Sequence, residues 1–157
     1  MDKNTAVPGK EKAMNWRNEA IEKLRRYDIM RQALRNIPQE IERLKAEAVA
    51  LRSIGDSIHV KGGGGRQEDA RINNIVQRQE LEQVFRQVRQ WLEVTERGLM
   101  ALTSDERLIL QRLYLYPQKG AIDRLCAELG MEQSSVYRKR DQALHRFTAA
   151  LYGFLET

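Results

Sequence analysis

The sequence predicts an all-α protein: an N-terminal long antiparallel helical hairpin followed by a C-terminal helix-turn-helix domain. Three observations carry that expectation. Long stretches hold neither Gly nor Pro, and their polar residues are mostly Glu, Gln, Arg and Lys, all good helix formers. Apolar residues recur at steps of three, four and seven rather than two. Near the end, a short amphipathic run, a glycine and a basic run follow one another. The chain of 157 residues suits one medium or two small domains. The expected division is a flexible tail over 1–11, a helical hairpin over 12–101 with a glycine-rich loop at 53–67, and a helix-turn-helix domain over 102–157.

Residues 1–11 are polar, with Pro8-Gly9 as a breaker pair, and read as a mobile tail. From about Lys12, Met14, Ile21, Leu24, Tyr27, Met30, Leu34, Ile37, Ile41, Leu44, Ala48 and Leu51 keep one helix face apolar. Pro38 lacks an amide hydrogen and restricts Ile37, so the helix is expected to stop or kink near Asn36-Ile37 and to restart with Pro38 in its first turn. Residues 53–67 contain five glycines and break the periodicity, which marks a connector. No Gly-Lys-Ser/Thr follows the glycines, so they are no phosphate-binding P-loop.

A third helix is expected from Glu68 to about Met100. Its second half follows a heptad, with Leu81, Val88, Thr95 and Leu102 in one position and Phe85, Leu92 and Leu99 in the other. That seam requires a partner helix. The N-terminal helices, reached by turning back through the glycine loop, supply the simplest one, with an intermolecular coiled coil as the alternative. The first part of this helix, with Asn73, Asn74, Gln77, Gln79 and Gln83, reads as more exposed. Trp16 and Trp91 are assigned to cover the hairpin core, with a partner surface as the alternative.

Thr103 with Glu106 three residues on forms a capping box, and Asp105 and Glu106 suit the positive end of the new helix. Leu108, Ile109, Leu113 and Tyr116 are expected to point inward, and Pro117 and Gly120 to end the helix. Ile122, Leu125, Cys126 and Leu129 then form the stripe of a short helix stopped by Gly130. After the turn 130–133, Ser134 or Ser135 is expected to cap a second helix. The anticipated core of this last third is Leu108, Leu113, Ile122, Leu125, Leu129, Val136, Leu144 and Phe147. Residues 151–155 either extend the final helix or pack back as an apolar tail.

Composition bounds the function. A net charge of +5 and a pI near 9.5 make an anionic partner plausible. The final helix places Arg138, Lys139, Arg140 and Arg146 against a single Asp141, a surplus a phosphate backbone would attract. The single Cys126 cannot form an internal disulfide and reads as a small core residue; there is no apolar run of a secretory signal, and charges interrupt every apolar run. A soluble, cytoplasmic, non-enzymatic protein is expected. His59 and His145 lack ligand-spaced companions, so neither a metal nor another cofactor is expected.

The segment from Leu102 to Phe147 resembles region 4 of bacterial sigma factors. The residues that carry the likeness are Leu102 with Glu106-Arg107, then Cys126, Leu129 and Gly130, and then Val136, Arg138 to Arg140 and Ala143-Leu144. Cys126 stands where that family usually has Ala, and Glu132 where it has Ser or Thr at the head of the recognition helix. No segment resembles region 2, so the likeness is not to a complete sigma factor. The layout as a whole is similar to phage-encoded late-gene transcription regulators of the ArpU/RinA type.

A helix-turn-helix presents the exposed N-terminal face of its second helix to base edges while flanking groups hold phosphate. That geometry nominates Gln133, Ser134, Tyr137 and Arg138 for base edges, with Ser135 beside them. Lys119, Lys139 and Arg140 are the phosphate candidates. The expected function is sequence-specific binding of double-stranded DNA by a transcriptional regulator. By resemblance it activates a phage or prophage late operon, and the hairpin mediates self-association or contact with RNA polymerase. Two alternatives are a small terminase-like DNA-packaging subunit and a sigma-like module that docks on polymerase without DNA.

Overall fold

The computed structural model describes residues 15–57 and 64–153. The tail over 1–11, Met14, His59, the middle of the connector and Leu155 lie outside the described residues. All the described secondary structure is helical: α1 (Trp16–Arg25), α2 (Tyr27–Ser57), α3 (Gly64–Met100), α4 (Ser104–Leu110) continued by a π turn (Gln111–Leu115), α5 (Ala121–Leu129) and α6 (Gln133–Tyr152).

Helices α2 and α3, of 31 and 37 residues, run antiparallel over lengths of about 45 and 55 Å at 1.5 Å per residue. Their contacts descend in register: Tyr27 reaches Glu96, the Leu44 carbonyl meets Asn74, and the Leu51 carbonyl meets Arg71. The heptad of α3 is the seam, since Val88, Leu92, Thr95 and Leu99 are buried and Leu81 and Phe85 are partly covered. Both tryptophans are partly buried. Trp16 lies 4.7 Å from the Tyr152 ring and Trp91 lies beneath the Lys23 ammonium at 5.3 Å.

Four expectations are corrected here. The break in the first long helix falls at Arg26 and not at Pro38, through which α2 runs without interruption. An internal proline costs about 3 kcal/mol. Pro38 itself is exposed, however, while Ile37, Ile41 and Leu44 of the adjoining stripe pack inward, and that burial outweighs the lost hydrogen bond. The turn at Arg26 instead sends α1 onto α6 while α2 follows α3. The connector is shorter than 53–67, because α2 continues to Ser57 and α3 begins at Gly64 rather than Glu68. Asn74 is not exposed but 3 % accessible, with its amide donating to the Leu44 carbonyl at 2.8 Å.

The fourth correction concerns the core. Leu144 and Phe147 do not close a cluster within the last third alone. They join Ala20, Leu24, Tyr27, Val88, Leu92, Leu99, Leu102, Leu110 and Leu115 in one apolar body. A smaller cluster of Ile109, Leu125 and Val136, flanked by Leu108, Leu113, Ile122, Cys126 and Leu129, holds the helix-turn-helix together. Residues on both sides of the 101/102 position therefore share a core. Leu110 and Leu115, absent from the expected core, are buried because α4 continues as a π turn, in which the Tyr116 amide donates to the Gln111 carbonyl at 2.9 Å. The wider turn places residues five apart on one face, where an α-helix would rotate one of them away.

Gly98 sets the approach of α3 to α6. A Cβ there would lie 2.8 Å from Phe147 and 3.0 Å from Leu151. Phe147 is fully buried and cannot retreat. Overpacking costs about 1–3 kcal/mol, which exceeds the fraction of a kcal/mol gained in helix propensity by replacing glycine with valine. Gly98→Val is therefore expected to lower the thermal midpoint by several degrees, as read by circular dichroism.

Burial first, then the hydrogen bond to Glu96 at 3.0 Å, raises the Tyr27 hydroxyl above its ordinary 10.0, and burial raises Tyr152 likewise. Both groups hold their protons more tightly when folded. Their contribution to stability is complete below 10.0 and is lost as pH rises through the folded values. Thermal stability measured above that point should fall more steeply in the wild type than in Tyr27→Phe/Tyr152→Phe.

Candidate nucleic-acid interface

The candidate interface is built on α5 and α6. Gly120, at φ 75°, opens α5 and Gly130, at φ 62°, closes it; both occupy the left-handed region that glycine adopts without strain. The Met131 amide donates to the Cys126 carbonyl at 3.1 Å, which fixes the turn. Val136 on α6, Leu125 on α5 and Ile109 on α4 then meet with no exposure, so the two helices of the motif are locked to each other and to α4.

The capping expectation for α6 is corrected. The helix begins at Gln133 with Glu132 as its N-cap, and no side chain bonds the first turn. Ser134 and Ser135 lie two and three positions beyond the N-cap, because the helix starts earlier than a serine cap would place it. Amide hydrogens at the start of α6 are left for an external acceptor. Thr103 does cap α4: its hydroxyl accepts from the Glu106 amide at 3.3 Å. In place of the reciprocal backbone bond of a capping box, the Thr103 hydroxyl donates to the Glu106 carboxylate at 2.8 Å.

Glu106 is buried, and its Oε1 also accepts from Arg146 Nη1 at 2.8 Å. One turn-pair earlier on α6, Lys139 donates to Asp105 at 3.2 Å. Two cations seven residues apart on α6 thus grip adjacent acids at the start of α4. The grip fixes the rotation of α6 and determines which residues face outward.

The outward stripe is Ser134, Tyr137, Arg138, Asp141 and Gln142, with His145 half-covered at its far end. Of the residues nominated from sequence, Gln133, Ser134, Arg138 and Lys119 are exposed, Tyr137 is 37 % exposed and Ser135 is half-buried. Arg138 forms no ion pair among the described residues. Lys139 and Arg140 are engaged: Lys139 with Asp105, and Arg140 with Asp141 at 3.0 Å while lying 4.9 Å above the Tyr137 ring. Lys119 stands in the exposed turn ahead of α5, apart from α6 in sequence. Gln142 and the exposed Arg124, held by Gln118 at 2.8 Å, were not nominated. Gln142 lies four residues beyond Arg138, and helical spacing alone places it on the same face.

Asp141 is the one acid on this stripe. Arg17 of α1 and Arg140 both bond its Oδ1 at 3.0 Å. Partly exposed pairs of this kind are worth at most about 1 kcal/mol, so Lys139 and Arg140 can exchange a carboxylate for phosphate at little cost. Among the described residues, no helix is long and apolar enough to cross a membrane.

A family model described as "Protein of unknown function (DUF1492)" matches residues 53–148. The matched span runs from the end of α2 to the outward stripe of α6. No curated protein and no solved structure matches the chain.

The Thr103, Glu106 and Arg146 side chains act as one network. Thr103→Ala and Glu106→Ala should each cost about 1–2 kcal/mol in denaturant unfolding. The double variant should lose less than the two costs combined, since both remove the same bond.

Proposed function

We propose that this chain, which belongs to the DUF1492 family, is a sequence-specific DNA-binding transcriptional regulator whose α6 enters the major groove. The observation that carries the reading is the stripe of Ser134, Tyr137, Arg138 and Gln142 standing clear of the core beside an uncapped helix start. Arg pairs bidentately with guanine and Gln with adenine, and amide hydrogens at a helix start donate to a phosphate. Lys119, Arg124, Lys139 and Arg140 supply the flanking backbone contacts. The resemblance of Leu102 to Phe147 to sigma region 4 supports a promoter as the target, with activation of phage or prophage genes as the biological role.

The hairpin favours self-association or contact with RNA polymerase. Its outer half exposes Val49, Ile72, Ile75 and Val76, more aliphatic surface than a solvated helix pair needs. That same surface favours a second reading, a DNA-packaging subunit. Light scattering separates the two: a monomer or dimer fits the regulator, and a ring of many subunits fits packaging.

Binding to a preferred duplex tests the reading. Arg138→Ala should weaken binding by about 1–3 kcal/mol and relax the preference at one base pair, whereas Lys139→Ala should weaken all duplexes alike and reduce the salt slope by about one. Full retention of affinity by Arg138→Ala/Arg140→Ala would refute the assignment.

A further inference from the structure

Along the outer half of the hairpin, remote in sequence from α6, helices α2 and α3 enclose a cleft of about 160 Å³ lined by Ala48, Arg52, Arg71, Asn74, Ile75 and Arg78. We propose that this cleft binds a phosphate group. Three guanidiniums line it and no carboxylate does. Elsewhere on the hairpin Arg43 is matched by Glu40 at 2.7 Å and Glu47 at 3.3 Å, and Arg89 by Glu93 at 3.2 Å. Arg52, Arg71 and Arg78 form no ion pair among the described residues.

The walls of the cleft are set in advance. Arg71 Nη2 donates to the Leu51 carbonyl at 3.3 Å, and its Nε is buried with no acceptor. Arg78 Nε donates to Asn74 Oδ1 at 2.9 Å, and Asn74 Nδ2 donates to the Leu44 carbonyl at 2.8 Å. A buried amide in a helix seam contributes less to packing than an aliphatic residue would. Its bonds here orient Arg78 towards the cleft.

Clustered guanidiniums repel one another until an anion joins them, and a phosphate offers acceptors at the spacing of the guanidinium fork. The volume admits one phosphate and its water and falls below the ~300 Å³ at which pockets for larger organic ligands begin. A DNA phosphodiester and a free phosphate share this chemistry. The inference does not depend on how α6 reads DNA.

The test is a titration of the full chain with inorganic phosphate at constant ionic strength, followed through the Nε–Hε resonance of Arg52 and the backbone amide resonances of Asn74 and Ile75, which every variant below retains. A saturable shift is expected that chloride does not reproduce. Arg71→Ala/Arg78→Ala should weaken it at least tenfold and Arg138→Ala should leave it unchanged. Arg71→Lys, which keeps the stem and charge, should weaken it several-fold in a chain of unaltered helicity. If DNA supplies the phosphate, the double variant also lowers the slope of log affinity against log salt by about two. If free phosphate is the ligand, that slope stays the same. No saturable shift, or an equal shift in the folded double variant, would overturn the site.

Discussion

The Phe147 ring occupies the space that a Cβ on Gly98 would fill, and that contact couples the helix-turn-helix to the hairpin. Burial of a side chain of this size contributes about 1.5–3 kcal/mol, and Leu24, Leu110 and Leu144 complete the same body. Because Phe147 is on α6, the helix that presents the outward stripe is anchored at its C-terminal half by the N-terminal elements. Its N-terminal half is anchored separately, through Val136 on Leu125 and Ile109. With both halves held and Lys139 and Arg146 engaged on α4, α6 keeps one rotation about its axis.

That rotation decides which charges are available. Four cations on α6 appear equivalent along the sequence, yet three are committed within the fold and Arg138 projects outward. The negative charge of Asp141 on the same face is offset by Arg17 from α1 and by Arg140. The N-terminal helix therefore contributes to the electrostatics of the outward surface as well as to its support. Over the hairpin the pattern differs: Arg43 and Arg89 are matched by acids one turn away, and three arginines without an ion pair, Arg52, Arg71 and Arg78, line a single cleft.

Where the periodicity was strong, the sequence was enough to place the elements. The heptad of α3, the Thr103 cap and the Gly130 stop each have a local cause, and the structure shows each of them. The turn at Arg26 has no local cause, since neither Gly nor Pro is present; α1 departs there because Ala20 and Leu24 gain more by packing on α6 than by continuing along α3. Pro38 carries a strong local signal that tertiary packing outweighed. The π turn shifted the register of α4 by one residue, which hid Leu110 and Leu115 from a count at 3.6 per turn. At the candidate interface, residue types and spacing nominated Arg138 and its neighbours, of which Arg138 is exposed. Ion pairs between distant segments, such as Lys139 with Asp105 and Arg17 with Asp141, are set by the fold and could not be read along the chain.

The central claim is that α6 reads sequence in duplex DNA. Selection of bound duplexes from a random pool by the full chain addresses it most directly. The account predicts enrichment of one recurrent motif containing guanine or adenine contacts, with protection confined to the major groove over that motif. Recovery of an unenriched pool, with binding that depends on salt alone, would contradict it.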